Sequence, residues 1–502
     1  MRSIFRTLLD GRPATTALAA ALATALLTTA PATAQEYRTP DDVTIDSVFH
    51  GLNARAIGPA GTSGRIAAIA VSPRDERIWM VGAATGGLWK TADFGFTWEA
   101  AIDHLPVNSV GAVAFAPSAP HTVYVGTGEA NARNSMGVGR GVWKSIDEGR
   151  SWTYLGLAET ERIEAILVHP TNPDVVWLTA LGPAWSDGEE RGVYRSTDGG
   201  ESWENVLFVD ERTGAFELVM DPANPEHLLA STWTYRRWPW FFESGGEGSG
   251  LWSTWDGGDT WRKLGPEDGL PEGELGRIGL AFAQNDPDVA YALVEAETSA
   301  LLRSEDGGTS WETVNDEPGV NERAFYYSRI YVDPTNENRV YRVSGDLSRS
   351  DDGGRTFEVI APWSSVHVDH HAFYASPDGH TIVSGNDGGV FVSNDRGGSW
   401  RFVENLPLAQ FYHLSVDMET PFNVLGGLQD NGSWRGPSQA WEQPSFAGSN
   451  ITNEHWRTIG FGDGFAALID PTDPTLGYSM SQGGNLQRFD LVTGQWAGIR
   501  PP

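Results

Sequence analysis

Seven stretches of eight residues share one wording: Ser or Thr first, Asp third, Gly fifth, Ser or Thr seventh, Trp or Phe last. They are TADFGFTW (91–98), SIDEGRSW (145–152), STDGGESW (196–203), TWDGGDTW (254–261), SEDGGTSW (304–311), SDDGGRTF (350–357) and SNDRGGSW (393–400). Their aspartates fall 43 to 58 residues apart, the spacing of a structural repeat rather than of scattered turns. Each residue type suits a tight hairpin. The carboxylate accepts backbone N–H groups further on, the glycine takes a positive φ, the hydroxyls tie the turn, and the aromatic ring returns to the interior. A calcium loop would need a closing carboxylate in a consistent register, which none of the seven has.

Each motif sits in the same frame. Upstream run an alternating strand, a Pro/Asn/Asp turn and a second strand, as in IAAIAVSPRDERIWMVG (66–82) and SRIYVDPTNENRVYRVSG (328–345). A short third strand such as GVYRS (192–196) or GVFVS (389–393) leads into the motif, and a fourth follows it. Four strands per unit predict β-propeller blades. Two further units, 411–434 and 465–490, keep the frame without the motif. The expectation is an all-β propeller of about nine four-stranded blade-like units, seven carrying the motif. It would close as a ten-bladed ring short of one unit, or as a seven-bladed ring followed by the start of a second.

Residues 1–34 read as a secretory signal peptide, with Arg2, Arg6 and Arg12 before an Ala/Leu run (17–27) and a small-residue cleavage site ahead of Gln35. The order that follows is a leading segment (35–63), the motif-bearing blades (64–408) and the units without motifs (409–502), the whole being expected to be a fragment of a longer protein. The product is expected to be exported, to periplasm or medium, with no membrane insertion after cleavage. Without the leader the chain keeps 32 basic and 65 acidic residues, a formal charge of −33. Such a surface repels nucleic acid and anionic lipid. The chain has no cysteine, no GxSxG elbow and no phosphate-binding loop, so thiol, serine-triad and nucleotide chemistry find no support.

The repeated wording resembles the Asp-box (BNR) repeat, and with its strands the chain resembles sortilin/Vps10 propellers and the propellers of glycoside hydrolase family 74 xyloglucanases. The resemblance implies a polymeric ligand, polysaccharide or peptide. It also implies a hydrolase alternative in which two aspartates, each in an Asp-x-Gly-Gly motif, face a cleft between two propellers. An inverting pair needs carboxyl groups about 6.5–9.5 Å apart, one acid and one base. Here Ala84 in GAATGGLW (82–89) and Asn386 in GNDGGVF (385–391) occupy those two positions. Binding without hydrolysis is therefore the expected role, and hydrolysis would require relocated acids.

Propeller ligands meet the loops at one mouth of the channel. Candidate acids there are Glu129, Asp387, Asp430 and Asp463, each set among glycines. The Gly-rich stretch 126–141 also offers Asn131, Arg133 and Asn134 as ligand contacts. A second set lies in TWTYRRWPWFFESGGEGSG (232–250): Trp233, Tyr235, Arg236, Arg237, Trp238 and Trp240, too many aromatics for one blade core. No cofactor is expected. The one candidate divalent-metal set is His367, Asp369 and His371 in HVDHH, which strand alternation would place on one face.

Overall fold

In the computed structural model, residues 55–133, 136–440 and 451–501 are described; the proposed leader and Asn134 fall outside them. The strands group into nine antiparallel sheets, each four-stranded in chain order, the fourth with a fifth strand at its side. Sheets 1 to 9 cover residues 66–100, 110–154, 163–207, 213–263, 278–315, 329–361, 370–402, 411–460 and 464–498.

Alternation along each strand explains how the sheets stack. In the strand Asp75–Ala83, Ile78 and Met80 enter a core shared with Val110, Phe115 and Val123 of sheet 2. The intervening Trp79, Val81 and Ala83 point the other way, into a core with Val383, Val390 and Val392 of sheet 7. The same two-sided pattern runs round the molecule, through cores between sheets 2 and 3, 3 and 4, 4 and 5, 5 and 6, and 6 and 7. Sheet 7 thus closes on sheet 1, and the seven motif-bearing sheets form a ring. Their first strands pack against one another and lie innermost. Sheets 8 and 9 share a separate core of Leu425, Ile459, Ala467 and Phe489.

All seven motifs fasten the turn between third and fourth strands in one way. In the fifth, Ser304 Oγ donates to Asp306 Oδ1 at 2.7 Å, Ser310 N to the same oxygen at 2.8 Å, Ser310 Oγ to Oδ2 at 2.6 Å, and Gly308 N to Ser304 Oγ at 2.8 Å. Equivalent bonds recur at Asp93, Asp147, Asp198, Asp256, Asp352 and Asp395. These hydrogen bonds favour the ionised form and hold the carboxyl groups of Asp147, Asp198 and Asp256 at about 2. Several of the aromatic residues then bond the preceding sheet: the indole N–H groups of Trp152, Trp203 and Trp400 donate to Ala101 O, Leu155 O and Ile360 O. The repeated aspartates are therefore occupied in their own hairpins, on the outside of the ring.

Candidate functional site

One mouth of the ring is built where first strands begin and second strands end. Arg65, Arg162 and Arg277 directly precede first strands, and Arg329 opens one; all four are buried. A buried guanidinium has to be paired, and Arg65 is paired three times, its Nη2 lying 3.7 Å from Asp430 Oδ2. Its Nη1 donates to Glu129 Oε1 at 2.6 Å and its Nε to Asp387 Oδ1 at 2.7 Å. Asp387 also accepts from Tyr326 OH at 2.6 Å and from His371 Nε2 at 3.0 Å. Arg133 Nη1 lies 2.9 Å from Tyr326 OH, 3.4 Å from Asp387 Oδ2 and 3.3 Å from Asp430 Oδ2. Asp430 N donates to Asp463 Oδ1 at 3.0 Å, which extends the network from the ring to the turn between sheets 8 and 9.

The glycines flanking these acids have a specific use. Gly128 has φ 94°, and a Cβ there would stand 1.8 Å from Glu161 O, so only glycine lets the loop carrying Glu129 lie this close to sheet 3. Asn386 ties the turn carrying Asp387, donating to His367 O and accepting from Gly388 N, both at 2.9 Å.

The charges decide the protonation. Burial pushes Asp387 up, but Arg65 and His371 beside it prevail and hold the carboxyl well below its ordinary value. Two arginines, Arg65 and Arg133, are thus set against the carboxylates of Glu129 and Asp387. Asp430 is the surplus acid. Burial and the charge of Asp387 raise it to about 8, against the pull of Arg133. At neutral pH Asp430 is protonated and can donate to Asp387. Burial also lowers His371, whose neutral ring donates a hydrogen bond from Nε2–H to Asp387.

Beside this network opens a cleft of about 740 Å³, walled by residues 363–369 ahead of sheet 7 and by turns of sheets 8 and 9. Asp430 and Asp463 line it, with Asn431 and Gln482. Two rings on its walls are exposed, Trp363 at 80% and Phe461 at 64%, the latter lying 5.3 Å from the Trp496 ring.

The structure therefore brings the four candidate acids together, in two roles. Glu129 and Asp387 are buried and held by Arg65, out of reach of a ligand, whereas Asp430 and Asp463 reach the cleft. Arg133 is part of the network. Asn131 is buried, and its Oδ1 accepts from Arg277 Nη2 at 3.0 Å. The HVDHH residues do not share a face. The strand begins only at His370, and Asp369 has φ 65°, which breaks the alternation. His371 turns to Asp387, Asp369 accepts from Tyr327 OH, and His367 Nδ1 lies 2.8 Å from Val368 O. Among the described residues no group of three His, Cys, Asp or Glu is placed to hold a metal.

The aromatic insertion divides as well. Trp233 and Tyr235, stacked at 4.6 Å, are buried with Leu181 and Phe216. Arg236 pairs with Asp187 at 2.9 Å, and the N–H of Arg237 donates to Ala184 O at 2.9 Å. Trp238 and Trp240 stand at the tip of a hairpin. Ala84 and Asn386 are both fully buried, so neither position opens on the cleft. Sequence reasoning missed the roles of Arg65, Tyr326, Trp363 and Phe461. For Arg65 a signal was present: an arginine recurring just before an apolar first strand.

Comparison with known proteins agrees with this fold. A family profile described as Sortilin-Vps10 (sortilin, neurotensin receptor 3) matches residues 140–269. A xyloglucanase of a Paenibacillus species is 25% identical over 235 residues, 40% of this chain and 21% of that protein. An oligoxyloglucan-reducing end-specific xyloglucanase of Emericella nidulans is 24% identical over 214 residues, 41% of this chain and 25% of that protein. The matched region thus spans about a quarter or less of these relatives. The crystal structure of the GH74 xyloglucanase of Xanthomonas campestris aligns with a TM-score of 0.58 at 17% identity, covering 89% of this chain and 75% of that one. No helix among the described residues is long and apolar enough to cross a membrane.

Proposed function

We propose that this β-propeller, related to the sortilin and xyloglucanase propellers, is an exported protein that binds a neutral polysaccharide of the β-glucan type in the cleft beside sheets 8 and 9. The observation that carries the reading is the pairing of two exposed rings, Trp363 and Phe461, with the carboxyl groups of Asp430 and Asp463 in one open cleft. Aromatic faces stack on the C–H faces of sugar rings, and carboxyl groups, amides and hydroxyls such as Thr62 and Thr458 bond their hydroxyls. The polysaccharide class follows the names of the relatives, and export follows the reading of residues 1–34. A peptide ligand in the same cleft is the competing class.

Hydrolysis is a second reading, favoured by one observation: Asp430 is protonated at neutral pH and opens on the cleft, as a general acid must. Against it, Ala84 and Asn386 are carboxyl-free, and Asp387 lies too close to Asp430, both near one Arg133 nitrogen, to leave room for an activated water.

Titration of the protein with soluble xyloglucan and other β-glucans, with reducing ends assayed in parallel, tests both readings. Saturable binding is expected, weakened about ten-fold or more by Trp363→Ala, with no new reducing ends. Undiminished affinity in Trp363→Ala would contradict the site, and turnover abolished by Asp430→Asn would establish the hydrolase instead.

A further inference from the structure

The strand Leu228–Arg237 is the longest among the described residues, and its end leaves the blade. Residues 228–232 pair with Gly250–Thr254 inside sheet 4, whereas 235–237 pair with Phe242–Ser244 as a separate hairpin. The base of this hairpin is anchored by buried Trp233 and Tyr235. Its turn is closed by Trp238 N donating to Phe241 O at 2.9 Å. The tip presents three rings to one another: Trp238 lies 5.9 Å from Phe241 and 6.2 Å from Trp240, with interplanar angles of 18° and 27°. Trp240 is 76% exposed and Phe241 48%, while Trp238 is half-buried beside Arg236.

At the foot of the hairpin lies a second cavity, of about 720 Å³, separate from the cleft of the proposed function. Asp187, Asp210, Glu211, Glu243, Glu247 and Glu274 line it, against a single cationic lining residue, Arg212. Some of this charge is already answered: Arg212 pairs with Glu243 at 2.8 Å and Arg236 with Asp187 at 2.9 Å, and the Lys263 ammonium acts on Asp210 and Glu247. Glu211 and Glu274 form no ion pair among the described residues and are exposed. The cavity and the tip are joined directly. Trp238 Nε1 donates to Glu243 Oε2 at 3.4 Å, and the Arg236 guanidinium lies 5.2 Å from the centre of the Trp238 ring. Phe208, 45% exposed, adds an apolar surface on the cavity wall.

Exposed rings beside a cavity lined by six acids and one cationic residue suit a cationic ligand. A guanidinium or ammonium stacks on the ring faces while its neighbours in an extended segment meet the carboxylates. A sugar polymer would not use the charge, and an anionic lipid surface would be repelled by it. We propose that the 238–241 hairpin tip and the acidic cavity at its foot form one docking surface for an arginine- or lysine-rich segment of a partner protein.

The test is fluorescence anisotropy of a labelled arginine–glycine repeat peptide added to the full chain at near-physiological salt, with serine–glycine and glutamate–glycine peptides as comparators. Saturable binding of the arginine peptide alone is expected. The double variant Trp240→Ala/Phe241→Ala keeps the charge and should weaken binding about ten-fold. Glu211→Gln/Glu274→Gln should weaken it about five-fold and flatten its salt dependence. Trp363→Ala should leave it unchanged, so that failure here and failure of the glucan site are read separately. Binding equally tight in the aromatic double variant would mean attraction to any acidic surface and would overturn the proposal. Equal binding of the serine peptide, absence of saturable binding, or displacement by a neutral glucan oligosaccharide would overturn it too.

Discussion

Arg65→Met will destabilise the protein by about 3–5 kcal/mol in urea unfolding. The expectation follows from what the side chain leaves behind rather than from the strength of its bonds. Arg65 is 3% exposed, and it supplies one nitrogen to Glu129 and another to Asp387. Without it both carboxylates stay buried, and Arg133 touches Asp387 only at 3.4 Å. Arg65→Lys should recover part of the loss at most, because one ammonium cannot present two separated N–H groups to two carboxylates. The exposed pair Arg77–Asp75, at 2.7 Å, is the natural control: Arg77→Ala should produce no measurable change. Unfolding of Arg65→Met indistinguishable from that of the parent would mean that Glu129 and Asp387 find other partners, and the network as described would be wrong.

The second large effect is on pH. Asp430 is raised to about 8, so between its unfolded value near 3.8 and about 8 the folded chain binds a proton that the unfolded chain has lost. The corresponding stability is fully present below pH 3.8 and is lost as the pH rises through 8. Glu217, beside Arg329 at 3.5 Å, behaves alike, burial raising it to about 8. Asp387 works in the opposite sense. Its carboxyl lies well below 3.8, so its stabilisation is present above that value and lost on further acidification. Each raised carboxyl therefore takes away about 3 kcal/mol between pH 5 and 8, while His370 and His371, buried as neutral rings, work the other way and add stability as the pH rises through 6.5. Asp430→Asn keeps a donor toward Asp387 and cannot ionise. Relative to the parent, this variant should gain about 3 kcal/mol between pH 5 and 8 in thermal unfolding. A variant profile parallel to the parent's would contradict the assignment of Asp430 as a neutral acid.

How much of this the sequence discloses depends on range. The seven motifs are local: their hydrogen bonds join residues two to four positions apart, so their wording reports their geometry directly. Ring size is not local. It depends on whether Val383 and Val390 meet Trp79 and Val81, some 300 residues away, and no short stretch encodes that meeting. Two closures were open from the repeat alone, and the shared core of sheets 7 and 1 selects the seven-bladed one. Glycine-flanked acids were legible as mouth residues because glycine marks close approach, as Gly128 shows. Which of them are buried was not legible, since the partner that buries Glu129 and Asp387 is Arg65, from another blade. Alternation misread HVDHH because a single left-handed residue, Asp369, precedes the strand. The aromatic insertion was too rich for one core, and it is in fact shared between a core at Trp233 and Tyr235 and an exposed tip at Trp240.

A structural role for the repeated aspartates and a recognition role for the cleft together make the central claim, and hydrogen–deuterium exchange with and without saturating xyloglucan oligosaccharide tests it most directly. Slowed exchange is predicted in residues 363–369, 430–432 and 458–463, with the seven motif turns unchanged. Slowed exchange confined to the motif turns, or none at the cleft while the oligosaccharide is bound, would contradict it.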